Sequence, residues 1–369
     1  MNAYEIFTTR LFAKAGALGI PLSGTFELTA RCNLDCRMCY IHKRANDVAV
    51  KSRELTAQQW LDIAKQCQQA GMLHLLLTGG EPFLRPDFKE IYAGCKQLGL
   101  LVSINSNATM IHGEMIDFLA SMPPARINIT LYGASPETYG ALCGDPSAYQ
   151  RVRNTILALK EAGLLVKLNF SATQYNRHDL KAVYDFAGEH GLPLQVATYM
   201  FPPVRACENG CYAPDRMTPE ESALAQFEYD VMRFPPEELR ERWQSQLNGI
   251  HVADPDADCQ ELPTERLHCR AGSSTFWLTW DGLVRPCGIM TYPSEPVGHD
   301  FLRAWNAIRA AREDIMVPAK CTGCDIRHAC DQCAAICHSE TGSFTESPAY
   351  MCERSKAYLQ LARQALKTL

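Results

Sequence analysis

From residue 25 to residue 199 the chain repeats one unit: a short apolar run, a polar loop, then a segment whose apolar residues recur at helical spacing. The runs predict strands over 25–29, 74–78, 101–105, 126–131, 165–171 and 194–199, with helices over 56–70, 86–98, 113–121, 148–162 and 178–190 between them. Gly71, Gly99, Gly163 and Gly191 follow four of those helices, where a left-handed C-terminal cap belongs. Six alternating units joined by right-handed crossovers give a parallel sheet, either open or part of a barrel. In such barrels the chemistry collects at the C-terminal ends of the strands.

Two of those strand ends carry motifs. After the first come Cys32, Cys36 and Cys39, a C-x3-C-x2-C array that can wrap a cubane iron-sulfur cluster and leave one iron open. After the second comes Thr78-Gly79-Gly80-Glu81-Pro82, where the glycines let backbone approach a ligand closely and Glu81 can anchor an ammonium group. In this order the two motifs resemble those of the radical S-adenosylmethionine (SAM) superfamily.

The resemblance implies an α/β fold, a partial (β/α)6 TIM-like barrel. It also implies a [4Fe-4S] cluster on Cys32, Cys36 and Cys39 whose open iron takes the amino and carboxylate groups of SAM and drives its cleavage to a 5'-deoxyadenosyl radical. By the same carry-over the SAM contacts are Met38 and Tyr40 around the third cysteine, Thr78 to Glu81, Ser106 and Asn107 after the third strand, Thr130 after the fourth and Met200 after the sixth. Two positions depart from the family pattern. Met38 stands where an aromatic residue is usual, and Ala141-Leu142-Cys143 occupies the stretch where many relatives place an arginine for the SAM carboxylate.

A second array lies downstream: Cys269-x12-Gly282-x4-Cys287, then Cys321-x2-Cys324-x5-Cys330-x2-Cys333, then Cys352. A lone pair of C-x2-C motifs would read as a zinc knuckle. The whole array is similar to the SPASM domain appended to many radical SAM enzymes, which implies two auxiliary [4Fe-4S] clusters. Cys269, Cys287 and Cys333 are then expected on one and Cys321, Cys324, Cys330 and Cys352 on the other. The fourth site of the first cluster is Cys259, Cys337 or open. Cys67, Cys95 and Cys143 read as buried apolar thiols. Cys207 and Cys211, beyond the sixth strand, read as loop cysteines, a redox pair or a substrate-handling pair.

The expected organisation is a lead-in helix within 1–24, the barrel over 25–203, a linker with helices over 204–258 and a small cysteine-rich SPASM domain over 259–369. Seventeen cysteines in 369 residues, grouped at ligand spacings and without a signal peptide, argue for clusters rather than a disulfide scaffold. The net charge of -5 offers no footprint for nucleic acid, and no apolar run nears the roughly 20 residues that span a bilayer. A cytoplasmic protein without membrane or nucleic-acid partners is expected.

The resemblance further implies oxidation, by crosslinking, of a ribosomally made peptide. Only 24 residues precede the first strand, so a separate leader-binding protein or direct capture by the barrel is expected. A low-potential donor such as ferredoxin or flavodoxin would supply electrons. Alternatives are oxidation of a protein residue in the manner of anaerobic sulfatase maturases, disfavoured because Gly288 follows Cys287 where those enzymes have an aspartate, and radical oxidation of a small molecule or cofactor. A non-catalytic electron carrier would not need Gly79 to Glu81. No catalytic acid or base is singled out; Glu81, Tyr199 and Asp281 are nearby possibilities.

Overall fold

The computed structural model describes residues 3–202, 205, 216–252 and 269–368. The six expected strands are present: β1 (Ser23–Glu27), then, after two short paired segments β2 (Arg31–Cys32) and β3 (Lys43–Arg44), β4 (His74–Thr78), β5 (Leu101–Ser106), β6 (Arg126–Thr130), β7 (Val166–Ser171) and β8 (Leu194–Ala197). Neighbours from β1 through β4 to β8 pair in parallel and in chain order. This is the parallel α/β arrangement expected from the alternation, in the partial-barrel form that the family resemblance implies. The caps are also where the sequence puts them: Gly71, Gly99, Gly163 and Gly191 have φ of 104, 80, 76 and 59°.

The strands alternate faces. Gly24 and Phe26 of β1 turn toward the helices, where Phe26 lies 5.0 Å from Trp60 of the helix Ala57–Gln69. That helix starts in a capping box between Thr56 and Gln59 and buries Trp60, Ile63, Ala64 and Cys67 at helical spacing. The opposite residues, among them Thr25, Leu76, Ser103 and Asn128, line a cavity of about 660 Å³ inside the curved sheet. The helix Ala3–Leu18 crosses its N-terminal end, with Phe12 stacked 6.2 Å from His74 and Arg270 lying 4.2 Å over the Phe12 ring.

Three findings differ from the sequence reading. β1 runs over Ser23–Glu27 and not over 25–29, because the chain leaves the sheet early to meet the loop after β4: Thr29 O accepts from Gly80 N (2.7 Å) and Arg31 O from Glu81 N (2.9 Å). A helix unforeseen in the sequence, Pro136–Cys143, follows β6; Ser135 caps it and Gly144 ends it at φ 75°. The cysteine-rich region is joined to the sheet itself. β9 (Thr275–Leu278) pairs in parallel with β1, and β10 (Leu283–Arg285) and β11 (Glu295–Pro296) continue outward, so nine strands form one sheet. No helix among the described residues is long and apolar enough to cross a membrane.

Candidate active site

The loop bearing Cys32, Cys36 and Cys39 is held from three sides. Arg31 donates from Nε and Nη2 to Glu54 at 2.7 and 3.0 Å and from Nη1 to Ala45 O at 2.9 Å. Gly79 and Gly80 lie against it so closely that a Cβ would stand 2.5 Å from Thr29 O and 2.3 Å from Arg31 O respectively, so no other residue fits at either position. On the third side the helix Pro136–Cys143 offers its last carbonyls, with Asp35 N donating to Cys143 O and Arg37 N to Leu142 O, each at 3.0 Å.

Two of the three sulfurs face hydrogen-bond donors. Leu34 N and Asn107 Nδ2 approach Cys32 Sγ at 3.4 and 3.5 Å, and His42 N approaches Cys39 Sγ at 3.3 Å. Cys36 is buried between Asp35 and Arg37, whose amides the helix Pro136–Cys143 holds. Donors aimed at sulfur suit thiolate ligands. Burial, with Glu81 adding to it, pushes the free Cys32 thiol up to about 12, and burial also raises Cys39. Loading a cluster therefore releases protons. Among the described residues no three His, Cys, Asp or Glu side chains converge around one metal ion.

Glu81 is fully buried and built into the floor of the site. Its Oε1 accepts from Phe83 N (3.2 Å) and Ser106 Oγ (2.9 Å), and its Oε2 from Asn107 N (2.8 Å). Burial raises its carboxyl to about 7 against those three donors. Ser106, Asn107 and Glu81 thus form one network reaching Cys32. Thr78, Thr130 and Met200 stand at or just after the C-terminal ends of β4, β6 and β8, and Met38 and Tyr40 flank Cys39, so every SAM-contact candidate lies on the same rim. Tyr199 and Asp281 are engaged elsewhere. Tyr199 donates to Glu340 Oε1 at 2.5 Å, and Asp281 pairs with Arg53 at 3.1 Å in the β9–β10 turn.

The downstream cysteines form two groups. Cys333 has Cys269 and Cys287 as its charged neighbours, and the three pack around Met290, Ile315, Ala334 and Ala335. Cys333 is the N-cap of the helix Ala334–Thr341, where backbone N–H groups favour a thiolate. Cys321 neighbours Cys324, Cys330 and Cys352. Cys337, a candidate fourth ligand to the first group, stands with the second: it neighbours Cys321 and Cys330, and Gln332 Nε2 lies 2.5 Å from its sulfur. Cys259, Cys207 and Cys211 lie outside the described residues.

Between Cys39 and Cys287 lies a group not singled out in the sequence. Tyr40 has both cysteines as charged neighbours, and Arg205 sits 5.6 Å over its ring. Arg205 pairs with Glu27, the last residue of β1, which is fully buried and also accepts from Trp277 Nε1 at 3.0 Å. Glu27 was readable as a charged residue in the middle of the predicted strand 25–29. Arg205 had no such signal.

Residues 26–187 match the model of the radical SAM superfamily. The chain is 24% identical over 340 residues to an AdoMet-dependent heme synthase of Methanosarcina barkeri, covering 88% of this chain and 94% of that protein. It is 26% identical over 280 residues to the sporulation killing factor maturation protein SkfB of Bacillus subtilis, covering 76% of this chain and 62% of that protein. The structure of Streptococcus suis SuiB bound to the precursor peptide SuiA superimposes with a TM-score of 0.66 at 17% identity, over 95% of this chain and 81% of that one, which shows a shared fold.

Proposed function

We propose, from the premise that residues 26–187 are a radical SAM domain, that this protein is a radical SAM oxidoreductase that modifies a ribosomally made peptide inside the barrel. Cys32, Cys36 and Cys39 would hold the SAM-binding [4Fe-4S] cluster. Two auxiliary [4Fe-4S] clusters would sit on Cys269, Cys287 and Cys333 and on Cys321, Cys324, Cys330 and Cys352. When bound, the first cluster and SAM supply a 5'-deoxyadenosyl radical able to take hydrogen from an unactivated C–H bond.

The observation that carries the reading is that Arg205, which lies 5.6 Å over the ring of Tyr40 next to Cys39, also donates to the carbonyl of Gly288 next to Cys287 at 3.0 Å, while Cys269 and Cys287 line the cavity of about 660 Å³. A substrate radical formed beside the first group stands within reach of an auxiliary site that can accept the surplus electron. The cavity wall is mixed: Ser103, Asn128 and Arg126 are polar, Leu76 and Phe276 apolar. Such a wall can meet both the amide groups and the side chains of an extended chain. The Ser106–Glu81–Asn107 network ties the ends of β4 and β5 together, and Thr8 and Phe12 of the helix Ala3–Leu18 line the cavity where the strands begin. SkfB is named a maturation protein and SuiB is seen bound to a precursor peptide, which supports the substrate class.

A separate leader-binding protein and a low-potential donor, ferredoxin or flavodoxin, complete the proposed system. The sulfatase-maturase alternative gains nothing from the geometry, because a Cβ at Gly288 would stand 3.0 Å from the Trp277 ring and leave an acidic side chain little room. Oxidation of a small molecule is the second reading, and the heme synthase match over 94% of that protein favours it.

The test is anaerobic co-expression with each short reading frame adjacent to the gene, followed by intact and tandem mass spectrometry. A loss of two hydrogens per modified site, absent with Cys32→Ala, Cys36→Ala, Cys39→Ala enzyme, is the expected result. Unchanged peptides together with SAM cleavage by the purified enzyme would move the substrate to a small molecule.

A further inference from the structure

The cavity inside the sheet carries charge of one sign. In a closed barrel of parallel strands the inward side chains are mostly branched apolar residues packed in layers. Here the wall includes Arg126 and Asn128 of β6, Ser103 beside Arg126 on β5, and Arg270. Among the described residues no aspartate or glutamate lines the cavity, and neither Arg126 nor Arg270 has an ion-pair partner. Ser23, His74, Leu101 and Arg126, the first residues of β1, β4, β5 and β6, all belong to the wall, so the two arginines mark the end of the cavity away from Glu81. Arg270 is steadied there by its place 4.2 Å over the ring of Phe12, which itself stacks on His74. A cleft walled by one sign of charge concentrates ligands of the other, and a guanidinium suits a carboxylate.

Asn128 adds a second requirement. It is only 8% exposed, its Nδ2 is committed to Asn105 Oδ1 at 2.7 Å, and its Oδ1 has no hydrogen-bond partner. A buried oxygen left unmet is costly, so this one is suited to accept from a donor that enters the cavity. Arg126 and Asn128 share one face of β6 two residues apart, a rise of roughly 6.6 Å. A carboxylate held by Arg126 therefore leaves Asn128 Oδ1 to an N–H group one or two residues away along an extended chain. We infer that this end of the cavity is a carboxylate-binding subsite for the substrate, in which Arg126 and Arg270 take the carboxylate and Asn128 accepts an N–H of the same molecule. The inference deepens the proposed function by giving the substrate an anionic group, and it is tested without turnover, so its failure and that of the peptide reading are separate results.

The test is anaerobic equilibrium dialysis of the reconstituted full-length protein against three probes: N-acetyl-trialanine, its C-terminal amide, and glutarate, which has carboxylates but no N–H. The tripeptide acid is expected to bind at least tenfold more tightly than its amide. Arg126→Gln and Arg270→Gln should each remove at least tenfold of the acid's affinity and leave that of the amide unchanged. Asn128→Leu should weaken the tripeptide acid at least threefold without affecting glutarate. Acid and amide bound equally, or arginine variants that hold the acid as wild type does, would overturn the inference. Asn128→Leu protein that binds the tripeptide acid as wild type does would assign Oδ1 to water and overturn the N–H contact. Arg270 adjoins Cys269, so if Arg270→Gln protein does not load its iron, Arg126→Gln decides, four strands away from β9 in the sheet.

Discussion

Arg205 grips Glu27 with both ends of its guanidinium, Nη1 to Oε2 at 2.8 Å and Nη2 to Oε1 at 2.7 Å, while its Nη1 also reaches Gly288 O at 3.0 Å. The pair joins the end of β1, the stretch after β8 and the residue following Cys287. One ion pair therefore links the end of β1, beside the proposed SAM site, to the residue after Cys287, in the proposed first auxiliary site.

Glu27→Gln leaves Arg205 buried without its counter-charge. The side chains are 0% and 8% exposed, so solvent cannot compensate, and a loss of roughly 3–5 kcal/mol is expected. Urea unfolding under anaerobic conditions measures it. The paired change Glu27→Gln, Arg205→Met should recover most of the loss; a double variant as unstable as the single one would show that the charge pairing is not what matters.

The clasp between Arg31 and Glu54 holds the cluster loop directly, and Arg85 lies 3.7 Å from the same carboxylate. Glu54→Gln should therefore weaken iron retention at Cys32, Cys36 and Cys39 before it affects the auxiliary groups. Iron analysis is expected to fall by about four atoms per chain, the content of one cubane, with loss of the SAM-responsive resonance signal. An even loss from all three groups would contradict the clasp's local role.

Glu81 gives the cluster-free protein a pH dependence. Its carboxyl rises from 4.5 to about 7 in the fold, so the folded state binds the extra proton between those values. This contribution to stability is complete below about 4.5 and disappears as the pH rises through about 7, a change of roughly 3 kcal/mol. Chemical denaturation of cluster-free protein at pH 5 and pH 8 should show the fall, and Glu81→Gln should flatten it. A wild-type slope retained in Glu81→Gln would assign the dependence to other groups.

Much of this architecture is written in local pattern. The apolar runs and the glycines after the helices mark the alternating sheet, and the spacing of Cys32, Cys36 and Cys39 within one loop marks the first cysteine group, whereas the division of the downstream cysteines follows only from the family resemblance. What local pattern misses is contact across long separations. Trp277 reaches Glu27 across 250 residues, and nothing near either residue announces that β9 pairs with β1. The helix Pro136–Cys143 was hidden by Pro136, Gly140 and Gly144, which read as a loop; two of them are its first residue and its cap. With that helix unseen, Cys143 looked like an ordinary buried thiol, and the hold of the helix's last carbonyls on Asp35 N and Arg37 N was out of sight. Spacing likewise left the fourth position of the first downstream group open between Cys259, Cys337 and none, and Cys337 stands one helical turn after Cys333.

The most direct test of the central claim follows the hydrogen atom. A candidate peptide from a neighbouring short reading frame, made with perdeuterated residues, is incubated anaerobically with loaded enzyme, SAM and reductant, and the 5'-deoxyadenosine is examined by mass spectrometry. Deuterium in the 5'-deoxyadenosine, absent with Cys32→Ala, Cys36→Ala, Cys39→Ala enzyme, is the predicted result. Modification of the peptide with no deuterium transferred from any labelled residue would contradict radical abstraction from the peptide.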